Sequence, residues 1–130
     1  MIKPQKAKIG FVDSGTDTTD TRKLDLNKHL IKHPAATFFI RARGNSMILA
    51  GIHNNDLLVV DRALTSHTDS IAVVSYNGEL LVRKIHRGVD AVYLTPANPK
   101  TKTLRIEDPD QLEVWGIVIH VIHSTTPKSF

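Results

Sequence analysis

The sequence predicts a mainly β fold, compact and strongly twisted, with a short helix and an extended N-terminal arm. Three observations predict it. After Ala36, short segments rich in Val, Ile, Leu and Thr recur through about 90 residues, each bounded by turn chemistry. The dipeptide Asn77-Gly78 separates two of these segments, and both central residues of a type I′ hairpin turn need positive φ. Residues 1–23 hold mostly polar side chains, with a run from Asp13 to Thr21 that offers nothing to bury.

Along the chain, the arm spans residues 1–23, because such a stretch cannot offset the entropy of ordering it. A helix signal follows. Asp25 can cap it, Leu26, Leu30 and Ile31 form one apolar stripe, and Pro34 stops it. Strands are expected over Thr37–Ala42, Leu57–Asp61, Ser70–Tyr76, Glu79–Ile85, Ala91–Thr95, Thr103–Ile106 and Glu113–His123. Pro96-Ala97-Asn98-Pro99 and Asp108-Pro109-Asp110 supply further turns. Residues 24–123 thus form the folded domain, and 124–130 a frayed tail.

Composition narrows the function classes. At 130 residues the chain has room for one core and not for a large multi-domain enzyme. With 41% hydrophobic and 23% charged residues it is an ordinary globular sequence. The absence of cysteine excludes a disulfide scaffold, a zinc–thiolate site and a cysteine nucleophile. A formal charge of +4 permits an acidic partner without identifying one, and Lys3, Lys6 and Lys8 of the arm carry much of it. No run of 18 apolar residues is present, so a soluble cytoplasmic protein without membrane contact is expected.

The most informative segment is Arg43-Gly44-Asn45-Ser46-Met47, continuing through Gly51-Ile52 to Asp56-Leu57-Leu58-Val59-Val60-Asp61. A strand ends in a glycine turn, and a serine stands at the mouth of a short helix-like segment. The backbone N–H groups of Ser46 and Met47 could stabilise a developing oxyanion there. Alone, a serine after a turn reads more simply as a helix cap.

Several motifs occur together in order: Gly44-x-Ser46-Met47, Gly51-Ile52, Asp56 to Asp61, and Asn77-Gly78-Glu79 before an apolar strand ending in basic residues. To these add Asp25-Leu26-Asn27, His33-Pro34-Ala35-Ala36-Thr37-Phe38-Phe39 and the run from Val114 to Val121. The chain from about Leu24 to His123 resembles the self-cleaving serine peptidase domain of LexA-type repressors and UmuD-type mutagenesis proteins, and most closely the UmuD branch. The resemblance implies the LexA/UmuD C-terminal-type β fold and a serine–lysine dyad, with the nucleophile at Ser46. The general base of such a dyad is a lysine on the strand after the Asn-Gly turn, which must lose its proton and so needs a desolvated, lowered pKa.

That strand reads Glu79-Leu80-Leu81-Val82-Arg83-Lys84-Ile85. Alignment on Gly78-Glu79 brings the base position to Arg83, with Lys84 one residue later. Arginine cannot serve as a neutral base, and in a regular strand Lys84 points to the opposite face. Either a bulge presents Lys84 to Ser46, or the dyad is broken. The resemblance also implies a scissile bond before a glycine in the arm, which Ile9-Gly10 followed by Phe11 fits, although Ile9 is bulkier than the residue such a site normally holds.

Function divides three ways on this reading. The chain is an accessory subunit of an error-prone translesion polymerase in the DNA-damage response; or an active self-processing peptidase using Ser46 and Lys84; or a binding-only regulator that dimerises with UmuD- or LexA-type proteins. A homodimer, a UmuC-type polymerase and a RecA–single-stranded-DNA filament are the implied partners. No cofactor, and no sequence-specific DNA binding, is expected.

Other candidate residues read more simply. His29 and His33 have a spacing that can hold zinc, but Pro34 pushes His33 out of helical geometry and no acidic third ligand lies near in sequence, so no metal site is assigned. His120 and His123 fall on opposite faces of a strand. Asp56 and Asp61 suit strand-end turns and backbone caps better than acid–base work. Trp115 reads as core or dimer interface, more simply core. Arg41 and Arg43 read as solvated strand-end charges.

Overall fold

The computed structural model describes residues 24–66 and 69–126. The expected cleavage site at Ile9-Gly10 and the tail beyond Thr126 lie outside the described residues. The chain divides into a unit that ends at Ile31 and a unit that begins at Lys32.

The described part of the first unit is one helix, α1 (Leu26–Leu30), capped by the Asp25 carboxylate, which accepts from Asn27 N at 3.0 Å. The cap is the one expected, but the ending is not. Ile31 already has extended backbone (φ −113°, ψ 109°), so α1 stops before Pro34, and that proline opens a separate 3₁₀ turn at Pro34–Ala36. A proline at the first position of a turn loses no hydrogen bond there. None of the residues of α1 is buried.

Among its described residues the second unit contains seven strands: β1 (Thr37–Arg41), β2 (Leu57–Asp61), β3 (Ser70–Tyr76), β4 (Glu79–Arg87), β5 (Val92–Thr95), β6 (Leu104–Ile106) and β7 (Leu112–Ile122). They pair antiparallel in one sheet of order β1-β2-β7-β3-β4-β5-β6. All seven expected strands are present. β4 runs two residues further than expected, because His86 and Arg87 keep pairing with Tyr93 and Val92. The β3–β4 hairpin turns on Asn77 (φ 51°) and Gly78 (φ 80°), the left-handed pair a type I′ turn demands.

β7 threads between β2 and β3, so the last strand occupies the middle of the sheet. Bulges at Val59/Val60 and Val73/Val74 shift its register on both sides and add local twist. The close fit explains Gly116. A Cβ built there would stand 2.7 Å from Val60 Cγ1 and 3.0 Å from the Asp61 carbonyl.

Both faces of the central strands are buried. Leu58, Val60 and Val73 pack with Ala42, Met47 and Ile52 in one cluster. Ala72 and Val74 face the other way and pack with Ile85, Leu94, Ile106 and Ile117 in a second. Burial on both faces is why the centres of β2 and β3 read as continuous apolar runs.

Trp115 departs from the simpler expectation. It is 40% exposed, edge-on to Phe38 (centroids 6.4 Å, planes 67° apart), with its indole N–H donating to Glu113 Oε1 at 2.9 Å. It lies beside the β3–β7 bulge, where the pleat alternation that would have turned it inward is interrupted. Among the described residues no helix is long and apolar enough to cross a membrane.

Candidate functional site

Ser46 lies in the loop between β1 and β2, which is held closed at its base. Ala42 N donates to Asp56 O and Asn55 N to Ala42 O, both at 2.8 Å. Gly44 (φ 79°) makes the sharp turn out of β1, and its N–H donates to Asn54 Oδ1 at 2.8 Å. Met47, 2% exposed, plants the loop in the first apolar cluster directly after Ser46. A 3₁₀ turn at Ile48–Ala50 and a left-handed Gly51 (φ 85°) complete it.

A second clamp comes from the turn between β5 and β6. Ala97 N donates to Ser46 O at 2.8 Å, Leu49 N donates to Ala97 O at 2.9 Å, and Asn98 Nδ2 donates to Asn45 O at 2.8 Å. Sequence reading recognised Pro96–Pro99 as a turn and missed this second role. The signal available was an asparagine held between two prolines, a residue with donors to spend at a preset backbone.

Arg83 approaches Ser46 from β4. Its Nη1 donates to Ser46 Oγ at 2.8 Å and to the Val82 carbonyl at 2.8 Å, while its Nε is buried with no hydrogen-bond partner among the described residues. Burial pulls the guanidinium pKa below its ordinary value, and the nearby charge of Glu79 opposes that pull. Lys84 is not brought to Ser46. β4 pairs in continuous register with β3 (Ala72 opposite Arg83, Ile71 opposite Lys84) and with β5 (Lys84 opposite Thr95). Side chains in a regular strand alternate, so Lys84 projects from the face opposite Arg83. The bulge that would have exchanged them is absent among the described residues.

Ser46 and Arg83 line a cleft of about 520 Å³ whose walls include Ile40, Met47, Val73 and Leu80. Arg41 and Arg43 also line it, and Arg41 donates from Nη1 to the Asn55 carbonyl at 3.1 Å. Leu81, Arg83 and Thr101 also line a second cleft, of about 380 Å³. The chemistry of the pair is limited by its donors. A guanidinium holds five N–H donors and no acceptor, so it orients and polarises the Ser46 hydroxyl without taking its proton.

The two aspartates that bracket Leu57–Val60 are more than caps. Asp56 and Asp61 are each 1% exposed. Asp61 accepts from Ala63 N at 2.8 Å, as a turn cap does, and also from His33 Nδ1 at 2.6 Å. Burial raises the Asp61 pKa, but these two hydrogen bonds and the His33 ring outweigh it and hold the carboxylate below its usual range. His33 is therefore spoken for by Asp61 rather than available for a pair with His29. Asp56 accepts from His53 N at 2.7 Å and from His123 Nδ1 at 2.6 Å. Its partnership with His123, 67 residues away, had no signal in sequence spacing.

Residues 2–119 match the Peptidase S24-like family. Protein ImpA of Salmonella typhimurium is 40% identical over 121 residues, which cover 92% of this chain and 81% of ImpA. Protein SamA of Salmonella typhimurium strain LT2 is 37% identical over 121 residues, covering 93% of this chain and 83% of SamA. Protein MucA of Escherichia coli is 34% identical over 117 residues, covering 89% of this chain and 79% of MucA.

Proposed function

This chain belongs to the Peptidase S24-like family, and from that premise we propose that it is a UmuD-type mutagenesis protein whose serine site binds but does not cleave. In this reading it is a cytoplasmic accessory subunit of an error-prone translesion polymerase in the DNA-damage response. It works as a homodimer with a UmuC-type polymerase and a RecA–single-stranded-DNA filament as partners. Identity of 34–40% with MucA, SamA and ImpA over most of the chain supports the branch.

The observation that carries the non-cleaving half is the 2.8 Å hydrogen bond from Arg83 to Ser46. Self-cleavage needs a group that accepts the serine proton as the hydroxyl attacks. The group in contact here is a permanent donor. The cleft beside Ser46 and the clamps on its loop support peptide binding, and in this reading the amides of Ser46 and Met47 contact a peptide carbonyl.

Two measurements on the purified full-length chain test this. Incubation with RecA, single-stranded DNA and nucleotide, followed by intact mass, is expected to show no product beginning at Gly10, even at alkaline pH. Co-purification with a UmuC-type polymerase is expected to succeed with the uncleaved chain. A Gly10 product overturns the non-cleaving reading, and failure to bind any UmuC-type polymerase overturns the accessory role.

A further inference from the structure

At the opposite end of β2 from Asp61, three potential metal ligands converge. One donor atom from each of His53, Asp56 and His123 lies within 4.8 Å of the other two. We propose that these residues form a binding site for a borderline transition-metal dication such as Zn²⁺.

The backbone fixes the arrangement. Leu57 of β2 pairs with Ile122 of β7, so continuing the antiparallel register by one step sets Asp56 beside His123. Asn55, in the left-handed region (φ 75°), folds the preceding turn back so that His53 N donates to Asp56 Oδ2. The carboxylate is thereby anchored from below, at 1% exposure, while the two imidazoles stand about half exposed above it.

The chemistry fits a dication better than it fits a carboxylate alone. Asp56 holds His123 Nδ1 at 2.6 Å and has His53 Nδ1 at 3.5 Å, with the two rings 4.7 Å apart and tilted by 36°. Two neutral rings offer lone pairs, and a dication can accept both while the carboxylate balances part of its charge. Two nitrogens and one oxygen, with room for water, is a donor set that suits zinc or cobalt.

Tetrahedral donors about 2.0–2.1 Å from a metal lie roughly 3.3 Å from one another. The site must contract by about 1.5 Å at its widest, which rotation of two exposed imidazoles supplies. A bound ion would tie the end of β7 to residues 51–56, the return limb of the loop that carries Ser46. The site does not depend on the function proposed above.

The test uses the full-length, tag-free chain, with Co²⁺ as a spectroscopic probe and Zn²⁺ as its competitor. The expected result is one Co²⁺ per chain with a visible d–d spectrum, displaced by Zn²⁺, and a Tm raised by Zn²⁺ and restored by a chelator. His53→Ala and His123→Ala should each weaken binding at least tenfold, on the scale of disturbing a ligand set. His86→Ala, an exposed histidine on β4, should leave it unchanged. Both test positions are half exposed, and an unchanged circular dichroism spectrum establishes that the variants are folded. Equal affinity in parent and both variants, or no saturable Co²⁺ binding in the micromolar range, overturns the proposal.

Discussion

Arg83 donates to the Ser46 hydroxyl at 2.8 Å across 37 residues of sequence, putting a permanent cation against that oxygen. Replacing it tests what the serine lacks. In Arg83→Lys an amine occupies a half-buried position, where desolvation lowers its pKa and frees it to accept a proton. The expected outcome is a product beginning at Gly10 in the presence of the RecA filament, detected by intact mass, from a parent that shows none. Adding Ser46→Ala should abolish it, whereas Lys84→Ala should not.

Met47→Ala removes the side chain that plants the serine loop in the core. Met47 is 2% exposed, and its carbonyl accepts from Ala50 N and Ile52 N. The expected loss is about 2–5 kcal/mol, the range for truncating a buried long apolar side chain. Urea unfolding with an unchanged m-value would show it.

Gly116→Ala forces a methyl to within 2.7 Å of Val60 Cγ1 and 3.0 Å of the Asp61 carbonyl. The Val60 side chain can give a little, but the backbone of β2 cannot do so without disturbing its ladder. A destabilisation of about 1–3 kcal/mol is expected, the usual cost of overpacking. A midpoint within error of the parent in urea would contradict the fit described for β7.

Stability should fall in acid partly through Asp61. Its native pKa is depressed below the ordinary 3.8 by the hydrogen bonds from His33 and Ala63 N. A group depressed in the folded state contributes stability that is present above its unfolded pKa and lost as pH falls through the folded value. The urea midpoint should therefore begin to drop below about pH 5 and keep falling as pH passes through the depressed value. In Asp61→Asn that drop should be shallower, on top of a lower starting stability.

Much of this was legible beforehand where the signal is local. Alternation between apolar and polar positions, the Asn77-Gly78 turn and the Asp25 cap each act over a few residues, so their strands, hairpin and helix start can be read in order. Alignment on Gly78-Glu79 even put Arg83 where the resemblance implies a base, the residue that contacts Ser46 in the structure. Of the two readings open for Trp115, core and dimer interface, the simpler core reading does not hold, because a bulge interrupts the alternation on which an inward placement relies. The ending of α1 was misjudged because Pro34 is compatible with starting a turn as well as with stopping one.

The sequence by itself determined a β domain, its family resemblance, the Ser46 turn and the doubt over its base. Only the tertiary structure decided which basic residue meets Ser46, because that rests on an unbroken ladder from β3 through β4 to β5. It alone joined His123 to Asp56 and His33 to Asp61, since both contacts link segments far apart in the chain. Local propensity sets which face a side chain takes. Pairing between distant strands, with its bulges and register, sets what that side chain finds there.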